Sequence, residues 1–190
     1  RFVSADSASE ACAGVKQLET SHLNLLNGFI HALVFASSED VLCKVLLTSA
    51  NKLVKADRID IALFIHNSPV LELIAVDGIV KQLSPGSNLS LHTESEDSCT
   101  HNPSVRNTPN LLDCDLDVAQ KLADFGLRSS LSVPLIARNA VLGRITVSSA
   151  NLNQYSEYDI LLLTQMGTSF AAMLQNQRLL QEKELALQES

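Results

Sequence analysis

The stretch from Ser129 to Ser149, SSLSVPLIARNAVLGRITVSS, decides the fold. From Ser129 to Ala137, Leu131, Val133 and Leu135 point to one side, and Ser130, Ser132 and Pro134 point to the other. From Val141 to Ser149, Val141, Gly143, Ile145 and Val147 alternate with Leu142, Arg144, Thr146 and Ser148. A period of two is the signature of a β-strand with two unlike faces. Arg138 and Asn139 form the connecting turn, and so short a connection joins antiparallel strands. The hairpin presents an apolar face that needs a cover and a face rich in hydroxyls with one guanidinium.

Reading outward, Asp117 to Phe125 predicts a short helix closed by Gly126 in the left-handed conformation. Residues 93–124, with Pro103, Pro109 and many Asn, Ser and Thr, predict a long excursion. Period two returns at residue 57. Ile59, Ile61, Leu63 and Ile65 oppose Arg58, Asp60, Ala62, Phe64 and His66, as in a strand buried on one face. Asn67-Ser68-Pro69 is turn chemistry. It leads to a second strand, Val70 to Val76, and a weaker one is expected over Ser87 to His92. Helical spacing marks residues 8–36. A second helix opens on a capping box from Ser37 to Asp40 and runs to about Ala56. A long C-terminal helix capped by Ser156 has Leu163, Met166, Phe170, Met173, Gln177, Leu180, Glu184 and Leu187 on its seam. One track of that seam stays apolar, as where a helix leaves a core for a two-stranded coiled coil. The fold class expected is α+β: an antiparallel sheet, terminal helices on one face, and loops with the short helix over the other.

The 190 residues fit one domain, and 46% hydrophobic with 18% charged residues supplies a core. The formal net charge is −7, and no basic run occurs. A nucleic-acid partner is therefore not expected, since phosphate contacts supply most of that affinity. Residues 94–124 hold seven acidic and two basic side chains, so most of the acidity sits in the excursion. Cys12, Cys43, Cys99 and Cys114 form no C-x-x-C pair, which fits a reduced, cytoplasmic chain without a zinc site. No apolar run reaches the roughly 18–20 residues of a membrane span, and the N-terminus has no signal core. The chain begins at Arg1, and we expect it to be part of a longer protein.

Four stretches resemble a known family. Phe125 to Leu135 (FGLRSSLSVPL) is similar to the G-[IL]-R-S-x-L-x-V-P-L pattern of GAF domains. Val141 to Val147 is similar to the strand that follows in that family. Tyr155, Asp159 and Leu161 to Leu163 resemble the start of its last helix. Asn110 to Asp113 resembles the segment before its small helix. PAS domains share the architecture but lack that strand motif. The resemblance spans about residues 38–178. It implies a six-stranded antiparallel sheet, a dimer bundle of terminal helices, and a ligand pocket between the other face and the loops. The expected organisation is an N-terminal dimerisation helix over 1–37, a GAF domain over 38–178, and over 179–190 the start of a coiled-coil linker to an output domain.

The resemblance implies a regulatory sensor of a bacterial-type signalling protein, not an enzyme. Alternation assigns Phe64, His66, Ser130, Ser132, Arg144, Thr146 and Ser148 to the pocket face, where a few polar groups could orient a small molecule. The alternative for that face is a set of polar groups bonded to water or to loop backbone. The expected homodimer interface is Leu18, Leu25, Phe29, Leu163, Met166, Phe170, Met173 and Leu180. The cofactor stays unknown. His92 and His101 are candidate haem ligands, but a surface histidine is the commoner outcome. Cys99-Thr100-His101 lacks the adjacent Cys-His pair of bilin attachment. Asn151-Leu152 with Tyr155 to Ile160 lacks the Lys and Glu of the cyclic-nucleotide signature. Asp113, Asp115 and Asp117 lack the glycine and glutamate of a calcium loop. The rival functions are a ligand-free dimerisation spacer and a thiol enzyme using Cys99 and Cys114.

Overall fold

The computed structural model describes residues 21–65, 70–78, 84–89 and 103–188. Strands β1 (Arg58–Phe64), β2 (Leu71–Gly78), β3 (Asn88–Leu89), β4 (Arg106–Thr108), β5 (Ser129–Ala137) and β6 (Ala140–Ser149) form one antiparallel sheet in the order β3-β2-β1-β6-β5-β4. Its helices are α1 (residues 21–34), α2 (Glu39–Leu53), α3 (Asp117–Asp124) and α4 (Glu157–Gln188), with a 3-10 turn at Leu111–Asp113. No helix among the described residues is long and apolar enough to cross a membrane.

The β5–β6 hairpin closes on Arg138 and Asn139, both at positive φ (48° and 64°), the backbone that a two-residue hairpin turn with the right twist demands. The pairing shifts between Leu135 and Ile136, so Leu135 faces Gly143 while Ile136 faces Val141. That irregularity breaks the alternation beyond Gly143. Leu142, expected on the polar side, packs instead against the main core. Gly143 itself is fixed by close approach, because a Cβ there would strike the carbonyl of Ala62 on β1.

Ile59, Ile61, Leu63, Leu131, Val133, Leu135, Ile145 and Val147 form the apolar face, covered by α2 and α4. The helix sits tightly on the sheet at Gly167, where an added Cβ would lie 3.2 Å from a methyl of Leu135. Leu163, Met166 and Phe170 are 0% exposed within the single chain. The α4 seam therefore packs on the protein's own sheet. This corrects the expectation that these three residues face a second copy: a 3-4 apolar spacing is the same for either partner. Phe29 is likewise buried, Met173 half-buried, Leu25 partly exposed and Leu180 exposed. Leu18 lies outside the described residues.

The helix ends follow their capping chemistry. Ser38, not Ser37, caps α2, its Oγ accepting from the backbone N of Val41 at 3.3 Å. Ser156 caps α4 reciprocally: its N and Oγ donate to Asp159 Oδ2 at 2.8 and 2.6 Å, and Asp159 N donates to Ser156 Oγ at 3.4 Å. Gly126, at φ 87°, ends α3. The helices α1 and α4 run in the same direction. His22 Nδ1 lies 2.8 Å from Tyr158 Oη near the start of both, and Gln177 Nε2 donates to the carbonyl of Ala36 at 2.6 Å near the end of α1. At that end Arg178 also grips Glu39 of α2 with two bonds of 3.1 and 2.8 Å. Residues 21–38 contain no Asp, Glu, Lys or Arg, yet α1 exposes Leu23, Ile30 and Val34. The last turns of α4 expose Leu180, Leu185 and Leu187.

Candidate functional site

The face of the sheet away from α2 and α4 is buried in part, and by different chemistry. β1 is buried along nearly its whole length, on both sides, and not on one face as expected. Direct cross-strand pairing sets two polar rows there. One runs Arg58, Ser148, Ser130, Thr108; the other runs Asp60, Thr146, Ser132, Arg106. Arg58 is 0% exposed and Asp60 only 7%. The Arg58 guanidinium donates from Nε to Asp60 Oδ2 at 3.1 Å. Burial pushes the Asp60 carboxyl above its usual range, and Arg58 offsets part of that rise.

Beside this pair, Ser132 Oγ and Thr146 Oγ1 are 3.0 Å apart. Arg144 donates from Nε to Ser132 Oγ at 2.8 Å, and from Nη2 to the carbonyls of Ser132 at 3.1 Å and Ser104 at 2.9 Å. Arg144 thus ties the incoming excursion to the sheet. Ser148 Oγ is buried with no hydrogen-bond partner among the described residues, which a native structure rarely leaves uncompensated. Ala62, Leu71 and Leu73, with Phe64 and Val76 half-buried against them, add an apolar flank. At the other flank Leu111, Ala119, Leu122, Ala123 and Leu127 form a small core of their own. Arg128 Nη1 binds the carbonyls of Ala123 and Leu127 at 2.9 Å each, fixing the end of α3.

Of the residues expected on the pocket face, Ser130, Ser132, Arg144, Thr146 and Ser148 lie together in neighbouring rows. Phe64 sits in the apolar flank, and His66 lies outside the described residues. Sequence reasoning left out Arg58 and Asp60. The one signal in the sequence is two charged residues at i and i+2 of an otherwise apolar strand, a pattern that a solvated strand face shares.

The other candidates are placed as follows. Cys99, His92 and His101 lie outside the described residues, as does Cys12. Cys114 is half-buried. Cys43 is buried, and its thiol is pushed up to about 12, first by desolvation and then by Glu39 and Asp40, so it is not poised as a nucleophile. Asp113 accepts from Asn110 Nδ2 at 2.8 Å, and Asp117 pairs with Lys121 at 2.7 Å across one helical turn. No group of three or more metal-ligating side chains converges among the described residues. The arrangement offers hydroxyls, a guanidinium and a carboxylate in a part-buried setting, which suits hydrogen bonding to a polar small molecule.

The family model for the GAF domain matches residues 38–174. Among solved structures, the GAF domain of a phosphoenolpyruvate-protein phosphotransferase from Acinetobacter superposes with a TM-score of 0.70 at 15% identity, over 85% of this chain and 98% of that one. The GAF domain of a two-component sensor histidine kinase from Bacillus halodurans gives 0.66 at 23% identity, over 76% of this chain and 98% of that one. The chromophore-binding domain of a bacteriophytochrome from R. palustris gives 0.69 at 15% identity, over 87% of this chain and 63% of that one. No curated protein sequence matches the chain.

Proposed function

The chain belongs to the GAF domain family, and we propose on that premise that it is a sensory and regulatory domain of a bacterial-type signalling protein. It binds a polar small molecule against the distal face of its sheet and passes the change through its terminal helices, as a homodimer, to an output domain. The observation that carries this reading is the pair of polar rows, Arg58-Ser148-Ser130 buried and Asp60-Thr146-Ser132 half-buried beyond Asp60, with the Ser148 hydroxyl unpartnered among the described residues at 0% residue exposure. Burying polar groups is costly unless something bonds to them. A face used only as filler would be cheaper if apolar. Similarity to GAF domains of a sensor kinase and to a chromophore-binding domain supports the same reading. A ligand shifts the two states only by its differential affinity for them.

The domain is read as regulatory and not catalytic. A thermal-shift screen of nucleotides, haem and small polar metabolites tests this. A specific ligand is expected to raise the melting temperature by mass action, and Ser148→Val with Ser132→Val should abolish the rise. A flat screen favours the second reading, a ligand-free spacer. The Arg144 bond to the Ser104 carbonyl speaks for that alternative, because it shows part of the polar face satisfied by the protein's own backbone. For the homodimer, the charge-free stretch of α1 with exposed Leu23, Ile30 and Val34 is the support. Sedimentation at tens of micromolar should give twice the chain mass, and a monomer would overturn the dimer.

A further inference from the structure

The distal face of the sheet has a charge balance opposite to that of the chain, whose formal net charge is −7. Among the described strand residues, pairing sets Arg58, Asp60, Arg106 and Arg144 on that face, and Glu72 and Asp77 of β2 on the other. Arg58 and Asp60 neutralise each other. That leaves two guanidiniums in excess, and Ser132 is where they meet. Arg106 stands directly across from it on the edge strand β4. Arg144 donates to its Oγ at 2.8 Å and to the carbonyl of Ser104, two residues before Arg106, at 2.9 Å. One guanidinium is thus fixed in place, and it fixes the start of the strand that carries the other. Arg106 is half-buried, yet no hydrogen bond or ion pair holds its guanidinium among the described residues. Acids of the excursion that find partners find them elsewhere: Asp113 in Asn110, and Asp117 in Lys121. A guanidinium drawn partly out of water beside a second one is costly unless an anion joins them.

We infer that the ligand of the distal face carries an acidic group, a carboxylate or a phosphate, seated between Arg106 and Arg144 at Ser132. The inference rests on the sensory reading and names the chemistry of its ligand. The planar fork of arginine matches the paired oxygens of either group. Ser132 Oγ already accepts from Arg144, so the hydroxyl marks where the two cations converge. The Ser148 hydroxyl, buried and unpartnered among the described residues, sets the other end of the site. It lies two strands over and two residues along from Arg106, about 12 Å between Cα positions. The ligand is then a small acid with a hydrogen-bonding group at the end away from its charge.

Probes of known charge test it on the full chain at constant ionic strength: succinate, inorganic phosphate, and succinamide as the neutral counterpart of succinate. Succinate or phosphate should raise the melting temperature in a dose-dependent way, and succinamide should not. Which of the two anions acts distinguishes a carboxylate from a phosphate. Arg106→Met should weaken binding of that anion at least about ten-fold by calorimetry, while Arg138→Met, at the hairpin turn, should leave it unchanged. Without anion, Arg106→Met should melt at or above wild type. If it melts lower, the guanidinium is held by the chain's own acids and the assignment falls. Equal weakening by both arginine variants would make the binding a matter of net charge, with the same consequence. If neither anion acts, while a neutral molecule stabilises wild type but not Ser148→Val, the ligand site stands and its acidic specificity falls. No response to these probes or to any compound of the wider screen overturns both.

Discussion

The two faces of one sheet are covered by opposite means, one completely and one in part. Under α2 and α4 the contact is dry and aliphatic, built from Ile59, Ile61, Leu131, Val133, Ile145 and Val147 against Leu163, Met166 and Phe170. On the other side the same strands hide an arginine, an aspartate and a row of hydroxyls. Because adjacent residues of one strand serve both faces, composition and backbone are shared, and only the direction of the side chain differs. The first face supplies stability. The second consumes some of it, which is the usual mark of a surface kept for binding.

Truncation on the dry face should have the largest effect. Phe170→Ala removes a fully buried ring and is expected to cost about 3–5 kcal/mol in urea unfolding; a loss under 1 kcal/mol would mean the core is elsewhere. On the polar face the response should depend on pairing. Arg58→Met alone strands the Asp60 carboxylate and should cost about 3 kcal/mol, whereas Arg58→Met with Asp60→Leu should return to within about 1 kcal/mol of wild type or exceed it. Equal losses in the single and double variants would show that the pair stabilises the fold by itself, and the contrast between the faces would fail.

A pH series sharpens the same point. Burial raises the folded-state pKa of Asp60 above its ordinary 3.8, so the folded protein holds that proton longer than the unfolded one. The stability this supplies is complete below pH 3.8 and is lost as the pH rises through the folded value. The melting temperature of wild type relative to Asp60→Asn should therefore fall as the pH is raised from about 4. A constant difference would place the carboxyl in a solvated setting.

The smallest expected effects compare two orphaned hydroxyls, one on each side. Tyr155 is buried in the dry core, its hydroxyl without a partner among the described residues and its ionisation pushed up first by desolvation. Tyr155→Phe should stabilise by about 1 kcal/mol. Ser148→Ala should also be neutral or slightly stabilising in the free protein, yet it should weaken ligand binding, which Tyr155→Phe should leave unchanged. If both substitutions leave binding unchanged, Ser148 is not a ligand contact.

The sheet hairpins and the helices were legible because each has one dominant period: two for SSLSVPL and three to four for Leu163 to Phe170. What stayed hidden were cases where one sequence pattern serves two structures. The seam of α4 reads the same whether it packs on a sheet or on a second helix. Arg58 and Asp60 read as a wet strand face because charge in sequence signals solvent, and their burial is seen only in the folded chain. Leu142 changed sides at an irregularity that leaves no mark in the residue types. The strand Arg106–Thr108 is three polar residues, too short for any period. In the site, hydroxyls and Arg144 followed from alternation, but not that Arg144 would hold the carbonyl of Ser104.

Helix α4 is 32 residues long and sits tightly on the sheet at Gly167, near its first third. Beyond that seat Phe170, Ala171, Leu174 and the Arg178–Glu39 pair still hold it to the body of the domain, so the arm able to swing is the exposed run from Leu180 to Gln188, about 13 Å long. A shift of the sheet therefore reaches the helix tip only through the clasp that Arg178 makes on α2, and loosening that clasp is what lengthens the arm.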